Sequence, residues 1–115
     1  MEIALIVLRS AHAEKLIAFY ALLGMHFEYH KHGNSPYHYS GKVDKSILEI
    51  YPLAKTQTEA DSSLRLGFRF DNFENVVKDL QEAGVSFSSE PATTDWGTMA
   101  VVSDPDGRKI EIYKK

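Results

Sequence analysis

Residues 47–51 read I-L-E-I-Y and residues 109–113 read K-I-E-I-Y. Each is a short β-prone run that carries one carboxylate, Glu49 or Glu111, between apolar neighbours. Side chains of a strand alternate between its two faces. Leu48 and Ile50, like Ile110 and Ile112, therefore share a face suited to a core, and Glu49 with Tyr51, or Glu111 with Tyr113, takes the opposite one. Moving outward from this pair, Gly24 and Gly84 stand 60 positions apart, as do Phe27 and Phe87, and Leu16-Ile17 and Val76-Val77 keep the same offset. The two carboxylates stand 62 apart, so about two residues are inserted between the earlier and later matches. The chain reads as a tandem of two β-α-β-β-β units.

In the first unit, Ile3 to Arg9 reads as a strand. A helix from His12 to Leu23 follows, with Leu16, Ile17, Tyr20 and Leu23 on its apolar face, and Gly24 ends it. Strands are expected at Met25 to Lys31, Ser35 to Ser40 and Ser46 to Leu53, punctuated by Gly33-Asn34-Ser35-Pro36 and Gly41-Lys42. Residues 54–63 are polar and aperiodic, as in a linker. The second unit repeats the order. A strand spans Leu64 to Phe70, and Asp71-Asn72-Phe73-Glu74 resembles a capping box. A helix with Phe73, Val76, Val77 and Leu80 as its buried stripe follows and closes at Gly84. Strands at Val85 to Ser89, Gly97 to Ser103 and Arg108 to Tyr113 complete the unit, the last two joined by a type I turn, Asp104-Pro105-Asp106-Gly107.

The expected class is therefore α+β: one domain of two modules, about 1–53 and 64–115, forming a curved mixed sheet. If the first and last strands of each unit meet, Leu5, Val7, Glu49 and Tyr51 line a concave groove together with Arg65, Gly67, Arg69, Glu111 and Tyr113. The carboxylates then face that groove and not the core.

Composition narrows the partners. At 115 residues the chain is long enough to bury roughly two thirds of its unfolded surface. It has no cysteine, which excludes disulfides, thiolate metal sites and a cysteine nucleophile. A net charge of −3 with no basic cluster beyond Lys114 and Lys115 argues against nucleic acid and anionic membranes as partners. The apolar start, Ile3 to Leu8, is too short for a signal peptide or a membrane span, so a cytoplasmic location is expected. There is no G-x-S-x-G, P-loop or G-x-G-x-x-G.

Three stretches carry a family resemblance: A-F-Y-A-L-L-G-M (Ala18 to Met25), L-E-I (Leu48 to Ile50) and D-P-D-G-R-K-I-E-I (Asp104 to Ile112). With the internal repeat, the chain resembles the vicinal oxygen chelate superfamily, which includes glyoxalase I, extradiol dioxygenases and the fosfomycin and bleomycin resistance proteins. The resemblance implies the glyoxalase/bleomycin resistance/dioxygenase-like fold. In metal-dependent members a divalent cation is held by one residue from the first and one from the last strand of each unit, commonly His and Glu. Those positions fall here on Leu5, Glu49, Arg65 and Glu111. Leucine and arginine offer a cation no lone pair, so no metal and no other cofactor is expected there. Arg65 would supply positive charge between Glu49 and Glu111 instead. The plainer alternative is a leftover of duplication, the glutamates held by Arg65 or Arg69 in a structural ion pair.

Two functions follow. The first is a binding module that holds a small hydrophobic or anionic compound in a metal-free groove. Arg65 and Arg69 would orient an anionic group and Tyr51, Tyr113 and Trp96 would stack on flat surfaces, with Leu5 and Val7 in the apolar wall. Against this, Tyr51 and Tyr113 could be packing at the edge of the core, and Trp96 could cover the core. The second function is a lyase or isomerase of the lactoylglutathione lyase type, with Glu49 or Glu111 as general base and Arg65 stabilising the enolate oxygen. His38, between Tyr37 and Tyr39, is the histidine to test as a general base. His30 and His32 have i, i+2 spacing that can hold a metal. The plainer reading is that they lie with His26 and Glu28 on a solvated face opposite buried Phe27 and Tyr29. Exposed strand edges predict a homodimer.

Overall fold

Met1–Ala60 and Asp61–Lys115 form two units of the same make in the computed structural model, which covers residues 1–115. The first contains β1 (Leu5–Ser10), α1 (Ala13–Leu22), β2 (Phe27–His30), β3 (His38–Val43) and β4 (Ser46–Pro52). The second contains β5 (Leu66–Phe70), α2 (Phe73–Glu82), β6 (Phe87–Thr94), β7 (Gly97–Ser103) and β8 (Lys109–Lys114). The strands hydrogen-bond as two four-stranded mixed sheets, ordered β1-β4-β3-β2 and β5-β8-β7-β6. Within each unit the first and last strands therefore run side by side and parallel, Val7 opposite Glu49 and Gly67 opposite Glu111.

Alternation along these strands sorts the side chains. Leu8, Leu48 and Ile50 turn inward with Leu16, Phe19 and Tyr20 of α1, all at least nine-tenths buried. The apolar face of α1 is narrower than its spacing predicts: Phe19 is buried, whereas Ile17 and Leu23 are only half-buried. Phe19 and Tyr20 meet edge to face, their ring centroids 5.3 Å apart. In the second unit Phe73, Val76, Val77 and Leu80 of α2 are buried as expected, beside Ile110 and Ile112. Each such aliphatic side chain contributes about 1.5–3 kcal/mol by leaving water.

Several local expectations give way to specific contacts. β3 runs straight through Gly41-Lys42, and the chain reverses two residues later at Asp44-Lys45, where Asp44 takes φ 51°. Gly41 has a packing role: a Cβ there would stand 2.7 Å from the carbonyl oxygen of His26. The capping box does not form. Asn72 is the N-cap without a side-chain bond, and Glu74 accepts a bond from Lys114 Nζ instead. β6 outruns its expected end at Ser89, passing through Pro91 with register shifts on either side of Ser89. Pro91 falls within the second shift, at an irregularity of the last strand in the sheet order, where a missing N–H is tolerated.

The β7–β8 turn holds more than its turn residues announce. Gly107 N–H donates to Asp104 O at 3.0 Å, and the Asp104 carboxylate accepts from the backbone N–H groups of Asp106 and Arg108. Arg108 Nη1 lies 3.3 Å from Asp104 and 3.4 Å from Asp106, so a buried guanidinium is neutralised by two acids inside the hairpin.

Candidate functional site

The two carboxylates that define the repeat have acquired different surroundings. Around Glu111, register and side-chain size act together. Gly67 lies opposite it on β5, and Tyr113 Cε2 comes within 3.2 Å of where a Gly67 Cβ would be. The ring thus leans across β5, and its hydroxyl donates to Glu111 Oε1. Arg65 Nε donates to Glu111 Oε2 at 2.6 Å, and the Arg69 guanidinium sits 5.4 Å from the centre of the Tyr113 ring. Both carboxylate oxygens are engaged by donors, which hold Glu111 below the usual carboxylate range, the Tyr113 bond first and Arg65 second. The same bond pushes the Tyr113 phenol up.

Glu49 is more deeply enclosed, and its neighbours are imidazoles. β2 pairs with β3 so that His30 faces His38, and Ser40 on β3 faces Glu49 on β4. This register puts His30, His38 and Glu49 on one side of the first sheet. His32, just past the end of β2, turns back to the same point. Glu49 Oε2 lies 3.3 Å from Nε2 of His38, 3.6 Å from that of His32 and 3.9 Å from that of His30. Tyr51 lies beyond, its ring stacked on His38 at 4.1 Å and 8°, with the Arg9 guanidinium 4.7 Å from its centre.

Arg9 and Tyr51 repeat the pairing of Arg69 and Tyr113, so duplication preserved the cation–aromatic contact while the groups around the carboxylate diverged. Register explains part of the difference. Met99 pairs with Tyr113 on β7, whereas the equivalent place on β3, one residue before the Tyr39–Ile50 pair, is His38.

These placements correct several sequence expectations. For Glu111 the plainer alternative holds, an ion pair with Arg65, while the groups close to Glu49 are the three histidines. The solvated face holds only in part: His26, Glu28 and His32 are exposed, but His30 is half-buried, and the rings of His30 and His32 lie 4.7 and 5.1 Å from that of His38. Tyr29, expected to be buried opposite them, is 60% exposed and stacks on Tyr37. Trp96 does not cover the core. It is 84% exposed at the tip of the β6–β7 hairpin, its backbone N–H donating to Thr94 Oγ1. Leu5 and Val7 are on the Glu49 side of β1, 52% and 43% exposed.

A cleft of about 420 Å³, lined by His12, Lys15, Tyr29, Tyr37 and Tyr39 among others, opens beside the start of α1. Burial, with Glu14 nearby, pushes the Tyr39 phenol up. Sequence reasoning gave this cleft no role; the Y-H-Y run at 37–39 was its only trace.

The four positions that the family resemblance assigns to a cation do not fit one. Leu5 and Arg65 have no lone pair to give, and both oxygens of Glu111 are already engaged. No helix is long and apolar enough to cross a membrane.

Known proteins share this fold. The chain is 27% identical, at a TM-score of 0.80, to TnmS3, an antibiotic binding protein from Streptomyces sp. CB03234, covering 99% of this chain and 95% of that one. It is 28% identical, at a TM-score of 0.75, to a glyoxalase/bleomycin resistance protein from the same strain, covering 97% and 99%. A superfamily member from Sphaerobacter thermophilus DSM 20745, 15% identical with a TM-score of 0.76 over 100% and 98% of the chains, shares the fold. No curated protein matches significantly. The sequence profile of the Glyoxalase/Bleomycin resistance protein/Dioxygenase superfamily matches residues 2–112, and the chain belongs to that family.

Proposed function

We propose that the protein binds a small hydrophobic or anionic compound without transforming it, and that no metal occupies the family position. The observation that carries this reading is the engagement of Glu111. A carboxylate that accepts from Arg65 and Tyr113 at once, and is held low by them, is a poor proton acceptor at neutral pH. It is suited to fixing the position of its neighbours. The residues around it are recognition groups: Arg69 offers charge-assisted bonds to an anion, and Tyr113 offers a flat ring. On the first sheet, exposed Leu5 and Val7 offer apolar surface. The resemblance to an antibiotic binding protein supports the same reading.

Exposed Ile3, Leu5 and Val7 also support a homodimer, since apolar strand surface of this kind is commonly covered by a second copy. Light scattering coupled to size exclusion is expected to return twice the 13.0 kDa chain mass. A monomer at working concentration would remove this part of the proposal.

The function itself is tested with a panel of planar aromatic antibiotics, aromatic carboxylates and a glutathione hemithioacetal, read by thermal shift and by product analysis. Stabilisation by an aromatic or anionic compound with no product is expected. Amide shift mapping of the bound form then separates the sheet faces from the tyrosine cleft. Turnover of the hemithioacetal would overturn the binder in favour of a glyoxalase-I-like lyase or isomerase, with Glu49 and His38 as the remaining candidate bases.

A further inference from the structure

We infer that His30, His32, His38 and Glu49 form a binding site for one divalent transition-metal cation of the imidazole-preferring class, of which Zn²⁺ is the probe. The set shares only Glu49 with the family positions, and it lies wholly within Met1–Ala60. It stands independently of the small-compound reading.

Three observations meet here. The first is distance. One ligand atom from each residue can be chosen so that all four lie within 4.8 Å of one another. A tetrahedral cation with bonds of about 2.1 Å needs ligand atoms about 3.4 Å apart. The gaps of 3.3, 3.6 and 3.9 Å from Glu49 Oε2 to the three Nε2 atoms bracket that edge.

The second is tautomer. His38 Nδ1 lies 3.0 Å from the carbonyl oxygen of Pro36, which can only accept, so Nδ1 carries the proton. Whenever only one ring nitrogen is protonated, Nε2 presents its lone pair. An imidazole that donates its far N–H to a backbone carbonyl is oriented as metal-ligating histidines are.

The third is an unmet electrostatic demand. His38 is 1% exposed, and its Nε2 has no hydrogen-bond partner although Glu49 Oε2 is 3.3 Å away. His30 Nε2 is likewise shielded from water without a partner. A nitrogen lone pair facing a carboxylate oxygen is repulsive unless a proton or a metal cation lies between them. A cation coordinated by both removes that repulsion and satisfies His30 and His32 at the same time.

Three neutral imidazoles and one carboxylate suit Zn²⁺, Co²⁺ or Ni²⁺ better than the oxygen-seeking Mg²⁺ or Ca²⁺. Four protein ligands make a closed site, the structural kind. His30 and His38 flank the β2–β3 loop and His32 lies in it, so the ion would staple residues 31–37 to β4.

The untagged full-length chain, stripped with a chelator, is titrated with Zn²⁺ by calorimetry and with Co²⁺ by visible absorption. One ion per chain and the d–d bands of a tetrahedral Co²⁺ centre are expected. Histidine ¹⁵N spectra should show Nε2 of His30, His32 and His38 moving on Zn²⁺ addition. The decisive variant is H32Q, because the His32 side chain is 64% exposed and its loss leaves the core untouched. It should weaken Zn²⁺ by more than the about 10- to 100-fold that losing an outer-shell partner costs. H26Q, just before β2 and outside the cluster, should bind as the wild type does. Unchanged circular dichroism and melting of H32Q in chelator guard against misfolding. Absent saturable binding, or equal binding by H32Q and the wild type, would overturn the assignment and leave the cluster as a histidine–carboxylate charge group only.

Discussion

Glu49 and Glu111 show how one residue type at equivalent positions of a repeat acquires two chemistries from its neighbours. That both carboxylates point away from the core follows from strand alternation alone, and was legible in I-L-E-I-Y and K-I-E-I-Y. Their partners were not. Arg65 reaches Glu111 because β5 lies beside β8, a pairing the repeat suggests, but the three imidazoles reach Glu49 through the β2–β3 register, which no local pattern encodes. The depressed titration of Glu111 gives a prediction with a definite sign. Its folded value lies below its unfolded one, so its contribution to stability is fully present above about pH 4.3 and is lost as pH falls through the folded value. E111Q should be less stable than the wild type at pH 7 in urea unfolding, and the gap should close as pH drops below 4.3. A gap that stays constant with pH would show that the Arg65 and Tyr113 bonds do not depend on the ionised carboxylate.

At the scale of elements, the order of strands and helices was readable because core-facing alternation and helical stripes repeat at the same offset. The boundaries that moved did so for contacts distant in sequence. β3 continues through Gly41 because Met25, His26 and Phe27 close over it, with no room for a side chain. G41A should therefore destabilise by about 1–3 kcal/mol, the usual cost of overpacking, measured from denaturation midpoints. The last hairpin was recognised as a turn but not as an ionic clamp, since nothing in D-P-D-G-R says that the arginine folds inward. Removing Asp104 leaves the buried guanidinium to Asp106 alone and takes the acceptor from two backbone N–H groups, so D104A should cost about 3–5 kcal/mol. A loss under about 1 kcal/mol would place Arg108 in water instead.

For the whole molecule, one tandem duplication accounts for both the shared architecture and the divergence. Two four-stranded sheets with the same strand order keep the Arg–Tyr contact in each unit, Arg9 with Tyr51 and Arg69 with Tyr113. The carboxylate beside each contact is free to change partners, because the fold rests on Leu48, Ile50, Ile110 and Ile112 on the opposite faces. The central claim is that divergence: one acid is paired with a guanidinium and hydrogen-bonded by a phenol, while the other is gathered by imidazoles. Anomalous diffraction at the zinc edge, from crystals of the untagged chain soaked in Zn²⁺, tests it most directly. The account predicts one peak per chain among His30, His32, His38 and Glu49, and none at Glu111, where Arg65 stays bonded. A peak on Glu111 with Arg65 displaced, or no density at the histidines, would contradict it.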